Sequence, residues 1–386
     1  MDSRRKNKNL VLTKSEYEIF CLIKAGMLGS CTHLMNENER DELIKTGGVK
    51  GEKFPYALTF SSAKNDQILQ QVQIGQVLDL YCEKKLVGQI KVESKFKNDK
   101  SLNNIFSSNT CSLEDLGEIC IGGEFELFES KIEQSKQEFL HIKKTLNARS
   151  ITAIVSSFDP LHRGHERIFR WTIDKADLVV VFLIESYEEN GLDFELKHKF
   201  VQSFIQQYIP KERVFVFPLK DIAIFHAHLN PKLEGIIAKS LNCTKIVVGQ
   251  NHTGLGMFFD NNIPRTMLDE FAKDYGIEVV VLPEFVFCEK CKVAVSIKSC
   301  PHGSHHHIKF NSASLKSLLR LGIIPPPVFM RREISFIILA HLFPNRFKHM
   351  QKLYNDLFAT QGIIEERKDE EFYAQLLKLY QITYMV

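Results

Sequence analysis

Residues 150–171 read SITAIVSSFDPLHRGHERIFRW, and the fold turns on this stretch. Ser150 to Val155 is a near-continuous apolar run of the kind found in strands buried on both faces. After the loop around Ser157 and Pro160, His162 and His165 stand three residues apart at the start of a helix, so both imidazoles lie on one face. They adjoin the helix's unpaired N–H groups and the positive end of its dipole, an arrangement that binds phosphate. Gly164 leaves room for a nucleotide to lie against the helix, and Pro160 suits the loop that leads into the first turn. Two helical histidines by themselves are more often surface or core residues. The strand, proline, glycine and helix around them favour nucleotide binding over that structural reading.

Downstream the same texture continues. ADLVVVFLI, RVFVFP, TKIVVG and IEVVVL read as strands, separated by the amphipathic helix FELKHKFVQSFIQQYI and the helix RTMLDEFAKDYG. Strands alternating with helices predict an α/β domain with a doubly wound, Rossmann-like parallel sheet over residues 150–330. Such sheets bind ligands beyond the carboxyl ends of their strands, which points to the loops after Val155 and Val248. Upstream, residues 1–125 mix the helix LTKSEYEIFCLIKAG with the strand-like FPYALTF, QVLDLYC and KLVGQIKVES, and predict a compact β-rich domain. Residues 126–149 turn polar and lysine-rich, with Ile132, Phe139, Ile142 and Leu146 at helical spacing, and predict a connecting helix. Residues 331–386 read as a helical C-terminal tail.

The 386 residues are 44% hydrophobic and 25% charged, enough for a sizeable core in about two to three domains. Lys plus Arg is 50 against 47 for Asp plus Glu, a net +3 that gives no polybasic footprint, so neither nucleic acid nor membrane is expected as a partner. The longest apolar runs, Leu178 to Ile184 and Ile334 to Phe343, fall far short of the roughly 20 residues of a spanning helix. The first residues carry a basic patch without the apolar stretch of a signal peptide, and a cytoplasmic location is expected.

Nine cysteines are present, and the tight cluster is CEKCKVAVSIKSCPHGSHHH at 288–307. Cys288, Cys291 and Cys300 with one imidazole make the donor set of a closed, tetrahedral zinc site. His305 is favoured over His302 as fourth ligand, because Pro301 restrains the short chelate from Cys300. The alternative is three buried thiols beside a solvated histidine run. His226 and His228 have no carboxylate or cysteine near them in sequence and are read as structural. Lys197, His198 and Lys199 are read as the solvated face of their helix.

Several ordered motifs together resemble the ATP sulfurylase (sulfate adenylyltransferase) family of the nucleotidylyltransferase superfamily. AGMLGSCTHLMNENE, through Met35, resembles the GxxxPLxGFM segment of that family's N-terminal PUA-like domain. SSFDPLHRGHE resembles QTRNPxHRAHE through Pro160, His162, Arg163, His165 and Glu166. NCTKIVVGQNHTG resembles GCTxxxVGRDHAG through Cys243, Thr244, Val248, Gly249, His252 and Gly254. CPHG, NSASLKSLLRLGIIPP and Glu333 stand where the family has CPH, SGTxxRxxLxxGxxPP and a following Glu.

The resemblance implies attack of a sulfate oxygen on the α-phosphorus of ATP, with Mg²⁺ as the ATP counterion and pyrophosphate leaving. His162 and His165 are then catalytic, donating hydrogen bonds to phosphate oxygens as charge builds. Ser157, Pro160, Arg163, Gly164, Gly249, His252, Gly254 and Lys316 line the nucleotide, Arg163 either as a nearby cation or as a solvent-facing side chain. Some family members hold a structural Cys3His zinc, and nothing in the motif here demands the open position of a catalytic one. The partners implied are ATP and a small anionic acceptor; a homo-oligomer is compatible with all of this.

The chain also departs from the family. Ser156 and Phe158 replace Gln and Arg, Asp159 replaces Asn, Gln250 and Asn251 replace Arg and Asp, and Lys316 replaces Arg. AHLNPKLEGIIAK stands where the family has GPREAxxHAxxR, and NSA where it has SGT. Two arginines the family uses around the anion are gone, and a sulfate dianion is held by charge-assisted hydrogen bonds. Three readings stay open: adenylylation of sulfate with a substitute cation such as Arg163, Lys316 or Lys239, nucleotidyl transfer to another acceptor, or non-catalytic nucleotide binding.

Overall fold

The computed structural model describes residues 8–54, 56–99, 104–106, 117–186, 190–222, 224–225, 231–249, 275–344, 350–358 and 368–382. They pack as two units. One comprises Met1–Ser156, Ala176–Tyr187 and Phe215–Val281, the other Ser157–Lys175, Glu188–Val214 and Leu282–Val386.

In the first unit, β1 (Lys8–Leu12), β2 (Val77–Cys82), β3 (Lys85–Lys91) and β4 (Phe125–Leu127) form a sheet in that order, β1 parallel to β2 and the other pairs antiparallel. Helix α1 (Lys14–Lys24) starts at a capping box, in which Glu16 N–H donates to Thr13 Oγ1 and Thr13 N–H donates to Glu16 Oε2. Its Phe20 packs at 5.4 Å from Phe60, 5.4 Å from Phe106 and 4.9 Å from Phe125. FPYALTF, expected as a strand, makes among its described residues single bridges at Ala57 and Phe60. The Asn104 side chain donates to Thr59 O at 2.8 Å, so a side chain occupies an acceptor that a neighbouring strand would otherwise use. Helix α2 (Lys131–Thr145) is capped by Ser130 and buries Ile132 and Phe139, the latter 5.6 Å from Phe215.

Further along come β5 (Ile151–Ser156), β6 (Leu178–Ile184), β7 (Val214–Leu219), β8 (Lys245–Gly249) and β9 (Glu278–Leu282). They pair in the order β7-β6-β5-β8-β9, with β5 parallel to both β6 and β8. Counted from β5, this is the 3-2-1-4-5 order of nucleotide-binding sheets, and the order reverses between β5 and β8. Every residue of β6 is buried, which explains its unbroken apolar run. Asp177 fixes the start of β5 by accepting from Arg149 N–H at 2.9 Å and Ser150 N–H at 2.8 Å. The register Lys245↔Thr152 to Val247↔Ile154 brings Gly249 level with Ser156, so the two strands end side by side. The helix RTMLDEFAKDYG falls almost wholly outside the described residues, as do His226 and His228.

In the second unit, α3 (Arg163–Ile173) packs on a three-stranded antiparallel sheet of β10 (Phe285–Cys288), β11 (Val293–Ser296) and β12 (His307–Lys309), ordered β11-β10-β12. Helix α4 (Phe194–Tyr208) carries a correction to the sequence reading. Lys197 is fully buried rather than solvated, its ammonium 5.8 Å from the centre of the Phe194 ring, because the buried arc of the helix spans Leu196, Lys197, Phe200, Val201 and Phe204. Lys199 does face solvent, paired with Glu370 at 2.6 Å. Helices α5 (Ser312–Arg320), α6 (Arg332–Leu342), α7 (Met350–Leu357) and α8 (Asp369–Ile382) complete the unit. No helix among the described residues is long and apolar enough to cross a membrane.

The packing of α2 sets an expectation. Phe139→Ala removes a ring with no exposed surface and should cost about 3–5 kcal/mol, whereas Leu146→Ala, at 37% exposure, should cost well under about 1 kcal/mol. Chemical denaturation of the two variants checks this, and equal losses would place α2's weight elsewhere.

Candidate active site

Strand β5 ends at Ser156, and the next six residues bend into α3. Phe158 takes a left-handed backbone conformation (φ 44°) that a bulky residue adopts only when packing compels it. Here its ring is 2% exposed, stacked at 5.6 Å on Phe169 and edge-on at 5.1 Å to His165. Phe158 is thus a core residue that braces a histidine. Ser157 is half-buried and Pro160 buried in the same loop.

His162 is the N-cap of α3 and only 8% exposed. Its backbone N–H donates to His165 Nδ1 at 3.2 Å, and the two rings stack at 3.8 Å and 22°. A neutral His165 therefore carries its proton on Nε2, leaving that atom as a donor. His162 Nδ1 is buried without a hydrogen-bond partner, a costly state that a bound polar group would relieve. Burial lowers the His162 pKa from 6.5 to about 4, and burial together with the adjacent His162 pushes His165 well below 6.5. At neutral pH both are uncharged donors.

One helical turn on, Glu166 is the electrostatic centre of the unit. Arg331 grips it with Nε at 2.9 Å from Oε2 and Nη2 at 2.7 Å from Oε1, Arg170 Nη2 lies 3.0 Å from Oε1, and Arg163 Nη1 lies 2.9 Å from Oε2. Burial alone would raise its pKa; the Arg331 and Arg170 hydrogen bonds outweigh it and bring the carboxyl from 4.5 down to about 2. The Arg331 guanidinium also lies 3.5 Å over the Tyr208 ring.

These contacts engage two residues expected at the nucleotide. Arg163 is half-buried and held within the protein. Its Nη1 pairs with Glu166, its Nε donates to Pro327 O at 3.1 Å and its backbone N–H to Phe329 O at 2.7 Å. Lys316, on α5, donates to Asp159 Oδ2 at 2.8 Å with both side chains about 95% buried, and Asp159 Oδ1 accepts from Leu192 N–H at 3.1 Å. The replacement of Asn by Asp and of Arg by Lys thus resolves into one internal ion pair. Gly249 is exposed at the end of β8, while Gln250, His252 and Gly254 lie outside the described residues.

The cysteine cluster sits on the small sheet, Cys288 closing β10 and Cys291 in the turn before β11, where its N–H donates to Cys288 Sγ at 3.4 Å. His302, not His305, completes it. His302 Nδ1 lies 3.5, 3.3 and 3.6 Å from the sulfurs of Cys288, Cys291 and Cys300, and Cys291 Sγ lies 3.9 Å from Cys300 Sγ. Tetrahedral zinc with ordinary bond lengths needs about 3.8 Å between sulfurs and about 3.6 Å between sulfur and nitrogen, so this donor set fits the ion. The bend at Pro301, expected to hinder the chelate, instead turns the near ring nitrogen onto Cys300. His305 packs against Gly303 and the His306 ring, 4.1 Å away.

Of the residues the geometry brings together, Arg331, Tyr208 and Phe310, whose ring lies 5.5 Å from that of His162, carry no motif. The Arg163-Glu166-Arg170 spacing (i, i+3 and i+4 pairs) was a readable signal for the ion cluster.

The titrations carry a pH signature. His162 and His165 resist protonation only when folded, so the unfolded chain binds more protons below about pH 6.5 and stability falls as pH drops from there toward 4. The Glu166 contribution is complete above pH 4.5 and is lost as pH falls toward about 2. Glu166→Gln should abolish that lower stage and lose about 3 kcal/mol at pH 7. Thermal melts from pH 8 to 3 check both; a variant that melts like the parent would remove Glu166 from the centre of the unit.

Sulfate adenylyltransferase of Cenarchaeum symbiosum is 29% identical over 195 residues, covering 50% of this chain and 51% of that one, so the match spans about half the relative's length. The enzyme of Psychrobacter sp. is 23% identical over 77% of this chain and 75% of its own, and that of Persephonella marina 21% over 88% and 92%. Among solved structures, a hexameric APS kinase from Thiobacillus denitrificans superposes with a TM-score of 0.64 at 15% identity, covering 88% of this chain and 63% of that one, a likeness of fold. The ATP-sulfurylase family model matches residues 130–341, more than half of the sequence and nearly all the residues that build the site, and the chain belongs to that family.

Proposed function

We propose that the chain is a sulfate adenylyltransferase, a nucleotidyltransferase in which a sulfate oxygen attacks the α-phosphorus of ATP and pyrophosphate leaves. The observation that carries this is the buried, stacked His162–His165 pair at the start of α3, with one ring nitrogen lacking a partner. Mg²⁺ accompanies ATP as its counterion. His165 Nε2 donates to a phosphate oxygen from a position fixed by the His162 N–H behind it and by the Phe158 ring beside it. His162 supplies its buried Nδ1 to the same charge. Because both rings are neutral beforehand, the incoming anion meets dipoles already oriented, and its own charge raises their pKa values as it arrives.

Phe158 buries where the family has arginine, while Arg163 and Lys316, two substitute cations considered from sequence, are held by Glu166 and Asp159. Sulfate is then held with fewer charge-assisted hydrogen bonds, and a weak hold on sulfate follows. We read residues 1–125 as a PUA-like domain, residues 126–149 as its connection, residues 150–330 as the catalytic domain and residues 331–386 as a helical tail. Cys288, Cys291, Cys300 and His302 hold zinc in a closed site that stabilises the small sheet on which α3 packs.

ATP–pyrophosphate exchange by the purified chain should require sulfate and saturate only at high sulfate. Exchange that needs a different acceptor instead overturns the sulfate assignment. His165→Ala should slow exchange about 10²–10³-fold. In the parent, kcat/KM for ATP should show no histidine inflection between pH 6 and 8; one near 6.5 would mean the rings are charged and solvated.

The metal reading is checked separately by zinc content and melting. One zinc per chain is expected, lost together with several degrees of Tm in Cys288→Ser and His302→Ala, and retained in His305→Ala. Loss in His305→Ala alone would restore the ligand set expected from sequence.

A further inference from the structure

Gly164 is the second residue of α3, and a side chain there would meet the His162 ring at 3.0 and 3.1 Å and Phe310 Cδ2 at 3.1 Å. The bare glycine backbone is therefore covered by two rings. Phe310 lies parallel to His162, with centroids 5.5 Å apart and planes 10° apart, and turns its edge to Phe329 at 6.2 Å and 84°. His165, His162 and Phe310 form a row across the start of the helix, and Phe310, half-buried, is its outer member.

The backbone delivers Phe310 to this place from one side only. It follows β12 directly and precedes Asn311, the N-cap of α5, so it belongs to no ladder or helix of its own. Strand β12 is paired to β10 with Lys309 opposite Val286 and His307 opposite Cys288, and that pairing aims the ring at Gly164. A base or ribose lying on Gly164 needs about 3.5 Å of clearance on each side, and a ring edge at 3.1 Å from the glycine's Cβ direction leaves none.

We propose that Phe310 is the residue a nucleotide displaces from Gly164, so that it sets the affinity of the site for ATP. This rests on the nucleotide-binding reading of the His162–His165 site. Displacing the ring sacrifices one stacked contact and one edge contact, which opposes binding by about fivefold.

The test is calorimetric binding of α,β-methylene ATP, a non-reacting analogue, to the full chain. Phe310→Ala should bind about fivefold tighter, and Phe310→Leu, which keeps an apolar side chain under Phe329, should tighten in the same direction. In turnover both variants should lower KM for ATP with kcat little changed. Phe310→Trp gives a spectroscopic readout against the background of Trp171, since its emission should shift to the red as the analogue pushes the indole into water. Weaker binding in both Ala and Leu variants, or an unshifted or blue-shifted indole, would make Phe310 a stacking partner or a bystander and overturn the proposal. Failure of every form to bind the analogue, the parent included, would instead overturn the nucleotide-binding reading and the proposal with it.

Discussion

A single buried carboxylate, Glu166, orders the second unit. Three guanidinium groups converge on it from three places in the chain, Arg163 and Arg170 on its own helix and Arg331 from the start of α6. An isolated carboxylate at that depth would be strongly unfavourable, and so would three arginines without it, so neither half of the cluster is stable alone. The geometry that satisfies both fixes the first turn of α3 against residues 327–331. The N–H of Arg163, an orphan donor at any helix start, is bound to Phe329 O as part of the same arrangement. Everything else at the site, the histidine stack included, is built on a helix end that cannot shift without breaking this cluster.

The departures from the family acquire a physical sense within that frame. Phe158, at a position where the resemblance implies an arginine, points inward, where the ring supports Phe169 and His165 together. Asp159 and Lys316 neutralise one another at 2.8 Å, and the pair joins the loop before α3 to helix α5.

Much of this was legible in the sequence. The apolar runs of β5, β6, β7 and β8 announced themselves, because period and length are local properties. The histidine pair and the three cysteines were legible for the same reason. Long-range geometry was not. No spacing rule connects Arg331 with Glu166 or Lys316 with Asp159, and the choice of His302 over His305 turned on which way the chain bends at Pro301. Lys197 was misread because a polarity pattern assigns a lysine to solvent, whereas the helix rotates it onto the same arc as Phe200 and Val201. The small glycine at 164 advertises space, and no local pattern signals that Phe310 already fills it.

The strand order has a temporal consequence. Strand β5, the first of its sheet to leave the ribosome, is flanked by β6 soon after, but its other neighbour, β8, lies 93 residues further on when measured from Ile151 to Thr244. The third guanidinium of the Glu166 cluster comes later still, 165 residues after its carboxylate. Until then the growing chain carries a half-edged sheet and a partly compensated buried acid. A molecule cut short before Arg331 would retain both histidines and every strand of the large sheet, yet hold them on a helix whose end is unanchored. The long separation thus delays the anchoring of the helix end until every strand of the large sheet has already been made.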